Sequence, residues 1–259
     1  MAIELYNDGE HICLMFEDLV DDTAGAVQAN QFLIVTGGEG ALIDPAGNMT
    51  YSSLLMAMSR YFPARELKYI LASHQDPDIV ASLNKWMVSS NCKLVVSKLW
   101  GRFVPHFCSA GNLDGRIIPV PDEGMNIMLG GTRIKAVPAH FLHAEGNFHF
   151  YDERSKILFS GDLGASLVHH EAVARPITTA AEVREHIACM EGFHRRYMVS
   201  NKACRLWAAM ACEMDIAWLV PQHGRSFKGR EAIGAFIDWI ERLECGIDLF
   251  TGQHYCVPA

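Results

Sequence analysis

The sequence predicts a layered α/β domain in which helices cover β-sheet, and two observations support this fold class. Short apolar runs typical of buried strands alternate with longer stretches in which apolar residues recur at helical spacing. This alternation occurs in both halves of the chain, without a low-complexity linker between them. Strands followed by helices, with some antiparallel pairs, favour sheets with helices packed outside. We therefore expect a single domain over residues 1–259.

The first half of the chain begins with a predicted β-hairpin. Two apolar runs, residues 31–36 and 41–44, flank the sequence Gly-Gly-Glu-Gly, and glycine-rich turns of this kind join antiparallel strands. The spacing of apolar residues then predicts, in order, a helix over 51–61, a strand over 69–73, a helix over 79–88 and a strand over 93–97.

The second half repeats this rhythm and contains clear helix starts. Thr179 and Glu182 have the spacing of a capping box, which predicts a helix from there to about Tyr197. Ser200 can cap the helix that follows. The remaining predicted elements are strands over 133–137, 147–151, 156–160 and 217–220 and an amphipathic helix over 230–243.

The charge and the hydropathy of the chain argue against two classes of partner. Lys and Arg number 22 against 30 acidic residues, which gives a formal net charge of −8. An acidic chain without a block of basic residues is not typical of nucleic-acid binding. No apolar stretch approaches the roughly 18 residues that a membrane-spanning helix needs. We expect neither nucleic acid nor membrane among the partners.

The N-terminal residues and the cysteines indicate a cytoplasmic protein. The first residues include acidic side chains and no basic stretch followed by an apolar run, so they do not resemble a signal peptide. The eight cysteines are scattered and form no C-x-x-C pair. We expect reduced thiols rather than a disulfide framework or a cysteine-based metal site.

Side chains that bind metals follow four of the predicted strands, at the point where each strand ends. Ligand-binding residues of open α/β proteins collect beyond one end of the strands, so these side chains can converge although they are distant in sequence. Imidazoles and carboxylates together are ligands for iron, manganese or zinc. In chain order the residues are His74, Asp76 and Asp78 after the first of these strands, His143 after the second, Asp162 after the third and His223 after the fourth.

Each of these residues also has an ordinary structural explanation. Asp76-Pro77-Asp78 has the pattern of a helix start, with Asp as N-cap, Pro in the first turn and a second acid near the helix dipole. Asp162 could simply hold a glycine-containing turn, and His223 could be packed in a loop. These explanations would have to hold independently at four strand ends, which favours a shared metal site.

The order of these landmarks resembles the metallo-β-lactamase superfamily. Within it, the chain is most similar to the diiron domain of flavodiiron proteins and, more closely still, to stand-alone oxygen-binding diiron proteins. The resemblance extends over about residues 3–245 and implies an αββα sandwich, with two face-to-face sheets between outer helices and a binuclear site at one edge. The matching landmarks are Asp44 after the hairpin, His74-x-Asp76-x-Asp78, His143, Gly161-Asp162 and Pro221-Gln222-His223-Gly224.

The resemblance also implies two iron ions and a role for each ligand. Zinc hydrolases of the superfamily have H-x-H-x-D-H where flavodiiron proteins have H-x-E-x-D-H, and this chain has a carboxylate, Asp76, at the third position. Carboxylate oxygens suit iron, whereas zinc hydrolase sites are richer in nitrogen. By this resemblance one iron is bound by His74, Asp76 and His143, the other by Asp78 and His223, and Asp162 is the carboxylate bridge.

Two positions depart from the flavodiiron pattern. Asp76 is one methylene shorter than the usual Glu, so its carboxylate needs a backbone adjustment or binds less closely. Ile79 stands where flavodiiron proteins have a histidine, which leaves the second iron with two carboxylates, one imidazole and open positions. His140, His149 or His170 could supply the missing ligand, although the first two more simply support the site or belong to strands.

Three functions are compatible with these residues. The leading hypothesis is a non-haem diiron protein that binds dioxygen, as an oxygen sensor or as a slow oxidoreductase that reduces oxygen or nitric oxide. One alternative is a zinc- or manganese-dependent metallo-hydrolase, which Asp76 and Ile79 disfavour. The other is a non-catalytic module whose oxygen-bound state is recognised by a signalling partner.

The resemblance raises the question of the electron source. Flavodiiron enzymes use a bound flavin across a head-to-tail dimer. In this chain the glycine-rich turn at 37–40 lies in a hairpin and does not open a helix, as a dinucleotide-binding turn would. We expect no flavin bound by a domain of this chain, a separate electron donor or signalling partner, and a homodimer by analogy with the family.

Overall fold

The first of two β-sheets contains seven strands in the computed structural model, which describes residues 2–19 and 27–258. They are β1 (Ala2–Asn7), β2 (His11–Phe16), β3 (Gln31–Thr36), β4 (Glu39–Ile43), β5 (Leu67–Leu71), β6 (Lys93–Ser97) and β7 (Ile117–Val120), and they are neighbours in that order. The strands from β1 to β4 pair antiparallel, which confirms the predicted hairpin. The strands from β4 to β7 pair parallel.

The second sheet contains six strands in the described residues. They are β8 (Met125–Leu129), β9 (Thr132–Pro138), β10 (Phe148–Asp152), β11 (Ile157–Phe159), β12 (Trp218–Val220) and β13 (Phe227–Lys228). Their order in space is β13-β12-β11-β10-β9-β8. The pair β11–β12 is parallel, and the other pairs are antiparallel. As a result, β9, β11 and β12 all run in the same direction.

Seven α-helices connect and cover these sheets in the described residues. They are α1 (Tyr51–Met58), α2 (Pro77–Val80), α3 (Leu83–Ser89), α4 (His170–Val173), α5 (Ala180–Tyr197), α6 (Asn201–Cys212) and α7 (Arg230–Arg242). None of the helices in this part of the chain combines the length and the apolar character that crossing a membrane requires.

Alternate side chains of each strand face different layers of the protein. In β3, Leu33 packs against the outer helices, whereas Phe32 and Ile34 point between the sheets. The rings of Phe32 and Phe159 meet there with centroids 4.9 Å apart. On the far side of the second sheet, Leu158 packs in the cluster formed with α5, α6 and α7. The layers are therefore helix, sheet, sheet and helix, which confirms the αββα sandwich.

The helix predicted over 79–88 is two helices in the structure, separated at Ser82. The Ser82 hydroxyl hydrogen-bonds to the carbonyl oxygens of Pro45 and Ala46, at 2.9 and 2.6 Å. Serine side chains that bond to backbone groups compete with helix continuation. The apolar spacing predicted the buried face correctly, but it could not reveal a break caused by a segment more than thirty positions away.

Two helix starts were predicted from capping residues, and they differ in outcome. The capping box of α5 is confirmed, because Thr179 Oγ1 accepts from the backbone N–H of Glu182 and the Glu182 carboxylate accepts from that of Thr179. Ser200 occupies the N-cap position of α6, but its side chain makes no capping bond. The carboxylate of Asp248 accepts from the backbone N–H of Asn201 instead, at 2.6 Å. The helix start that Ser200 was predicted to cap is therefore capped by Asp248, a residue distant in sequence.

Five strands of the described residues were not predicted: β1, β2, β7, β8 and β13. The residues of β2, His-Ile-Cys-Leu-Met-Phe, are buried on both faces of the sheet. A strand covered on both faces lacks the alternation of polar and apolar residues that identifies a half-exposed strand.

Candidate metal centre

All six side chains predicted to bind metal lie at one end of the sandwich, where strands of both sheets end. The first sheet contributes the loop after β5, and the second contributes the segments after β9, β11 and β12. The convergence follows from strand direction, because the three contributing strands of the second sheet are all parallel in sense. The side chains brought together are those of His74, Asp76, Asp78, His143, Asp162 and His223.

His74, Asp76 and His143 form the first half of the site with one oxygen of Asp162. His143 Nε2 lies 3.1 Å from Asp76 Oδ2 and 3.3 Å from Asp162 Oδ2. His74 Nε2 lies 3.8 Å from each of the same two oxygens. The candidate ligand atoms of the two histidines and Asp76 all lie within 4.8 Å of one another, a spacing that suits a single metal ion.

Asp78 and His223 form the second half of the site with the other oxygen of Asp162. His223 Nε2 lies 3.3 Å from Asp78 Oδ2 and 3.5 Å from Asp162 Oδ1. Asp162 thus presents Oδ2 to the first half and Oδ1 to the second. This is the arrangement that a carboxylate bridging two metal ions requires.

Two buried atoms of the site, His74 Nε2 and Asp162 Oδ1, have no hydrogen-bond partner among the described residues. Leaving a buried polar atom unpaired costs roughly 1–3 kcal/mol. Both atoms face other candidate metal ligands, and a metal ion bound between them would satisfy them. The residues present therefore fit a binuclear metal centre.

Opposite charges are paired throughout the site. Burial alone would raise the pKa values of Asp76 and Asp78, but hydrogen bonds from His143 and His223 hold both below the ordinary value for Asp. Burial would likewise lower the pKa of His223, but its hydrogen bond to Asp78 and the charge of Asp162 raise that pKa to about 9. Metal binding must displace such protons from the imidazoles.

Buried neighbours fix the orientation of two of the histidines. The Ser73 hydroxyl donates to Asp44 Oδ2 at 3.0 Å and lies 2.9 Å from His74 Nδ1, so it can accept the Nδ1 proton. His223 Nδ1 lies 2.7 Å from the Gln28 carbonyl oxygen, to which it can donate. In both rings this directs Nε2 towards the site, where it can bind a metal ion once any proton on it has been displaced.

Asp44 holds Ser73 in the position from which it orients His74. Its second carboxylate oxygen accepts from the Ser73 backbone N–H at 2.8 Å. Burial raises the pKa of Asp44 to about 7, although the two bonds from Ser73 act in the opposite direction. Sequence reasoning placed Asp44 among the superfamily landmarks but overlooked Ser73, whose position directly before His74 was the available signal.

Asp76 has the backbone of a helix start, but its side chain faces the other candidate metal ligands. It is the N-cap of α2 with Pro77 in the first turn, as the ordinary explanation predicts. Its side chain, however, makes no capping hydrogen bond and contacts His143 instead. Since the carboxylate is not used by the helix, it stays available to a metal ion, and the two explanations of this position are compatible.

Ile79 is fully buried in the hydrophobic cluster beneath α2 and α3. Of the histidines considered in its place, His140 Nε2 lies 2.9 Å from the Asp122 carbonyl oxygen. His149 is buried with Nδ1 accepting from Trp207 Nε1 at 3.3 Å, and burial lowers its pKa to about 3. The side chain of His170 lies outside the described residues. None of these contacts brings a further histidine to the second half in the described part of the chain.

Comparison with known proteins agrees with this geometry. Residues 27–224 match the family described as ODP family beta lactamase. This chain belongs to that family. A structure of the chemotaxis sensor ODP described as a peroxy diiron species matches with a TM-score of 0.83 and 36% identity, over 96% of this chain and 97% of that one. The apo state of chemotaxis sensor ODP from T. denticola matches at 35% identity, also with a TM-score of 0.83.

More distant relatives of this ODP family chain share parts of it. A flavo di-iron protein from Thermotoga maritima matches with a TM-score of 0.76 over 93% of this chain but only 60% of its own, and its 19% identity shows the fold alone. An uncharacterized protein of Methanocaldococcus jannaschii is 26% identical over 133 residues, and the match spans 33% of that relative's length.

A second group of potential ligands lies at the opposite end of the sandwich and was not predicted. His11 Nε2 lies 2.7 Å from Asp152 Oδ2 and 3.3 Å from the sulfur of Cys13, and all three side chains are fully buried. The same Asp152 oxygen also accepts from the backbone N–H and the hydroxyl of Ser155. These hydrogen bonds make the group a polar tie between β2 and the turn after β10. His11 Nδ1 and Asp152 Oδ1 have no hydrogen-bond partner in the described residues.

Proposed function

We propose that this chain is a non-haem diiron protein that binds dioxygen and acts as an oxygen sensor. The observation that carries the proposal is the position of Asp162, whose two oxygens face two separate sets of ligands. The structural match to the chemotaxis sensor ODP covers nearly all of both chains, and that structure is described as a peroxy diiron species. This similarity supports dioxygen as the ligand.

The proposed ligand assignment follows the two halves of the site. The first iron would be held by His74, Asp76 and His143 and the second by Asp78 and His223, and Asp162 would bridge them. A diferrous pair supplies the electrons with which dioxygen is bound. The protein contributes three carboxylates to stabilise positive charge, and Ser73 and the Gln28 carbonyl direct Nε2 of His74 and of His223 inward.

Iron is favoured over zinc by the composition of the site. Its six side chains are three carboxylates and three imidazoles, whereas zinc sites that activate water usually hold each ion with more nitrogen ligands. The second half has a single imidazole of its own, His223. Because Ile79 cannot bind a metal, one coordination position of the second iron would stay open. Such a position suits an exogenous ligand, whereas structural metal sites usually have no open position.

Sensing rather than rapid turnover is proposed because the similar protein is a chemotaxis sensor. The absence of a flavin from this chain, its homodimer, a separate electron donor or signalling partner, and the cytoplasmic location stay predictions.

The proposal is tested by metal reconstitution. Metal-free protein titrated anaerobically with ferrous iron is expected to bind two irons per chain and to develop a visible absorption band on exposure to air. Two bound irons without any spectral change in air would contradict dioxygen binding. Near-stoichiometric zinc without iron, in protein from its native source, would favour the hydrolase instead.

Asp162→Asn supplies the matched variant for this titration. The amide keeps the shape of the side chain but replaces one of the two anionic bridging oxygens. We expect the variant to bind at most one iron tightly and to lose most of the absorption band. A variant that binds two irons as tightly as the unaltered protein would rule out the bridging role of Asp162.

A further inference from the structure

Cys204 and Cys245 form a buried thiol pair on the outer side of the second sheet. Their sulfur atoms lie 3.7 Å apart, and neither residue is exposed to solvent. Cys204 belongs to α6, and Cys245 follows the end of α7, 41 positions later in the chain. Because the sulfur atoms of a disulfide are about 2 Å apart, side-chain rotation with a small backbone shift can join them.

The two thiols are chemically unequal. The hydrogen bond with Cys204 and the nearby Arg195 lower the pKa of Cys245, although burial and the charge of Asp248 act in the opposite direction. The same bond, together with burial, raises the pKa of Cys204. Cys245 is therefore the thiol that ionises first, and a thiolate is the reactive form of cysteine.

We propose that Cys204 and Cys245 are a modification site at which hydrogen peroxide produces an intramolecular disulfide. The Cys245 thiolate attacks one peroxide oxygen and breaks the O–O bond, which gives a sulfenic acid and hydroxide. The hydroxide removes the Cys204 proton, and the Cys204 sulfur attacks the Cys245 sulfur. The second hydroxide leaves and takes up the proton that Cys245 had released. In sum, two thiols and one peroxide give one disulfide and two waters.

The new bond would fix a segment that contacts the surroundings of the metal centre. Directly after Cys245, the Ile247 backbone N–H donates to the Val199 carbonyl oxygen at 2.8 Å. The Val199 N–H in turn donates to the carbonyl oxygen of Phe141 at 3.2 Å, two positions before His143. Oxidation would therefore anchor residues 246–249 to α6 and hold them against this backbone.

The experiment treats the full-length, iron-loaded protein with hydrogen peroxide, denatures it without reductant, alkylates the free thiols and maps the peptides by mass spectrometry. We expect a cross-linked species with the mass of the Cys204 and Cys245 peptides less two hydrogen atoms. We also expect the oxidised protein to unfold at a temperature higher by roughly 5 °C, because the bond closes a long loop.

Other cysteines of the chain serve as internal controls. Cys13 and Cys92 are equally buried, but in the described residues neither sulfur contacts the sulfur of another cysteine. Both thiols should therefore escape oxidation and be alkylated. Cys189 is exposed and reports whether the oxidant has acted. If Cys204 and Cys245 are still fully alkylated once Cys189 is oxidised, or if either is cross-linked elsewhere, the proposal is wrong.

Cys245→Ser is the matched variant, and Cys204→Ser replaces it if the first does not fold. In either variant the remaining cysteine should stay free of the cross-link, and the rise in unfolding temperature after peroxide should disappear. A rise that persists in the variant would show that another oxidation causes it.

Discussion

Ser73 decides which nitrogen of His74 faces the metal centre. Its hydroxyl donates to Asp44 and can therefore accept from His74 Nδ1, which leaves Nε2 free for a metal. The Ser73 backbone N–H bonds to the same carboxylate. Three short contacts thus hold one imidazole ring in the orientation that metal binding requires, and none of them involves a metal ligand other than His74.

Ser73→Ala should weaken iron binding without removing a ligand. Loss of the group that orients a ligating histidine typically lowers metal affinity 10- to 100-fold. The measurement is an anaerobic ferrous iron titration. Ser90→Ala is the control, since Ser90 is also buried and bonds to the Trp86 carbonyl oxygen at 2.9 Å, but it lies in the outer helical layer. Equal iron affinity in the two variants would exclude the orienting role of Ser73.

At the scale of elements, the two sheets are joined by polar contacts as well as by the apolar core between them. His11 at the start of β2 meets Asp152 at the end of β10 at 2.7 Å, with both side chains fully buried. Removing one partner of a buried hydrogen bond leaves the other partner less completely paired, which typically costs about 1–3 kcal/mol. The tie lies at the end of the sandwich opposite the metal centre, so its loss should affect folding rather than metal binding.

His11→Leu is expected to lower the free energy of unfolding by about 1–3 kcal/mol, because the buried Asp152 carboxylate loses its contact with His11 and keeps only the hydrogen bonds from Ser155. Urea denaturation at neutral pH measures this. Lys135→Ala is the comparison, since Lys135 and Glu153 form a partly exposed ion pair at 2.6 Å on the neighbouring strand. Exposed pairs contribute about 0–1 kcal/mol. Similar, small losses for both variants would mean that the tie does not stabilise the sandwich.

At the scale of the whole molecule, several histidines are buried in their uncharged form, so their protonation at low pH destabilises the folded state. Burial lowers the pKa of His149 to about 3 and those of His186 and His194 to about 4. Their pKa in the unfolded chain is about 6.5. Below that pH the unfolded state binds protons that the folded state does not, so stability falls as the pH drops from about 6.5 towards 4.

His186→Gln isolates one of these contributions, since His186 packs against Phe227 and lies near Arg225, which also lowers its pKa. The unaltered, metal-free protein should lose roughly 1–2 kcal/mol more unfolding free energy than the variant between pH 7 and pH 5. Urea denaturation of both proteins at the two pH values provides the comparison. Parallel losses would show that His186 titrates alike in the folded and unfolded states.

The candidate site was unusually accessible to sequence reasoning. Each proposed ligand follows a strand directly, and strand ends can be recognised from short apolar runs. The differences from the flavodiiron pattern at Asp76 and Ile79 could also be recognised, because they concern the residue type at a fixed spacing. The neighbours that orient the ligands, such as the Gln28 carbonyl, could not be predicted, since every residue has a backbone carbonyl and its partner depends on the fold.

The sequence by itself determined the alternation of strands and helices, the capping box of α5 and the identity of the proposed ligands, because periodicity, capping and spacing are local properties. Only the tertiary structure decided that Asp162 turns one oxygen to each half of the site, that Ser82 breaks a helix, and that Cys204 meets Cys245. These features depend on contacts between segments distant in the chain, and local residue preferences do not specify which distant segments will meet.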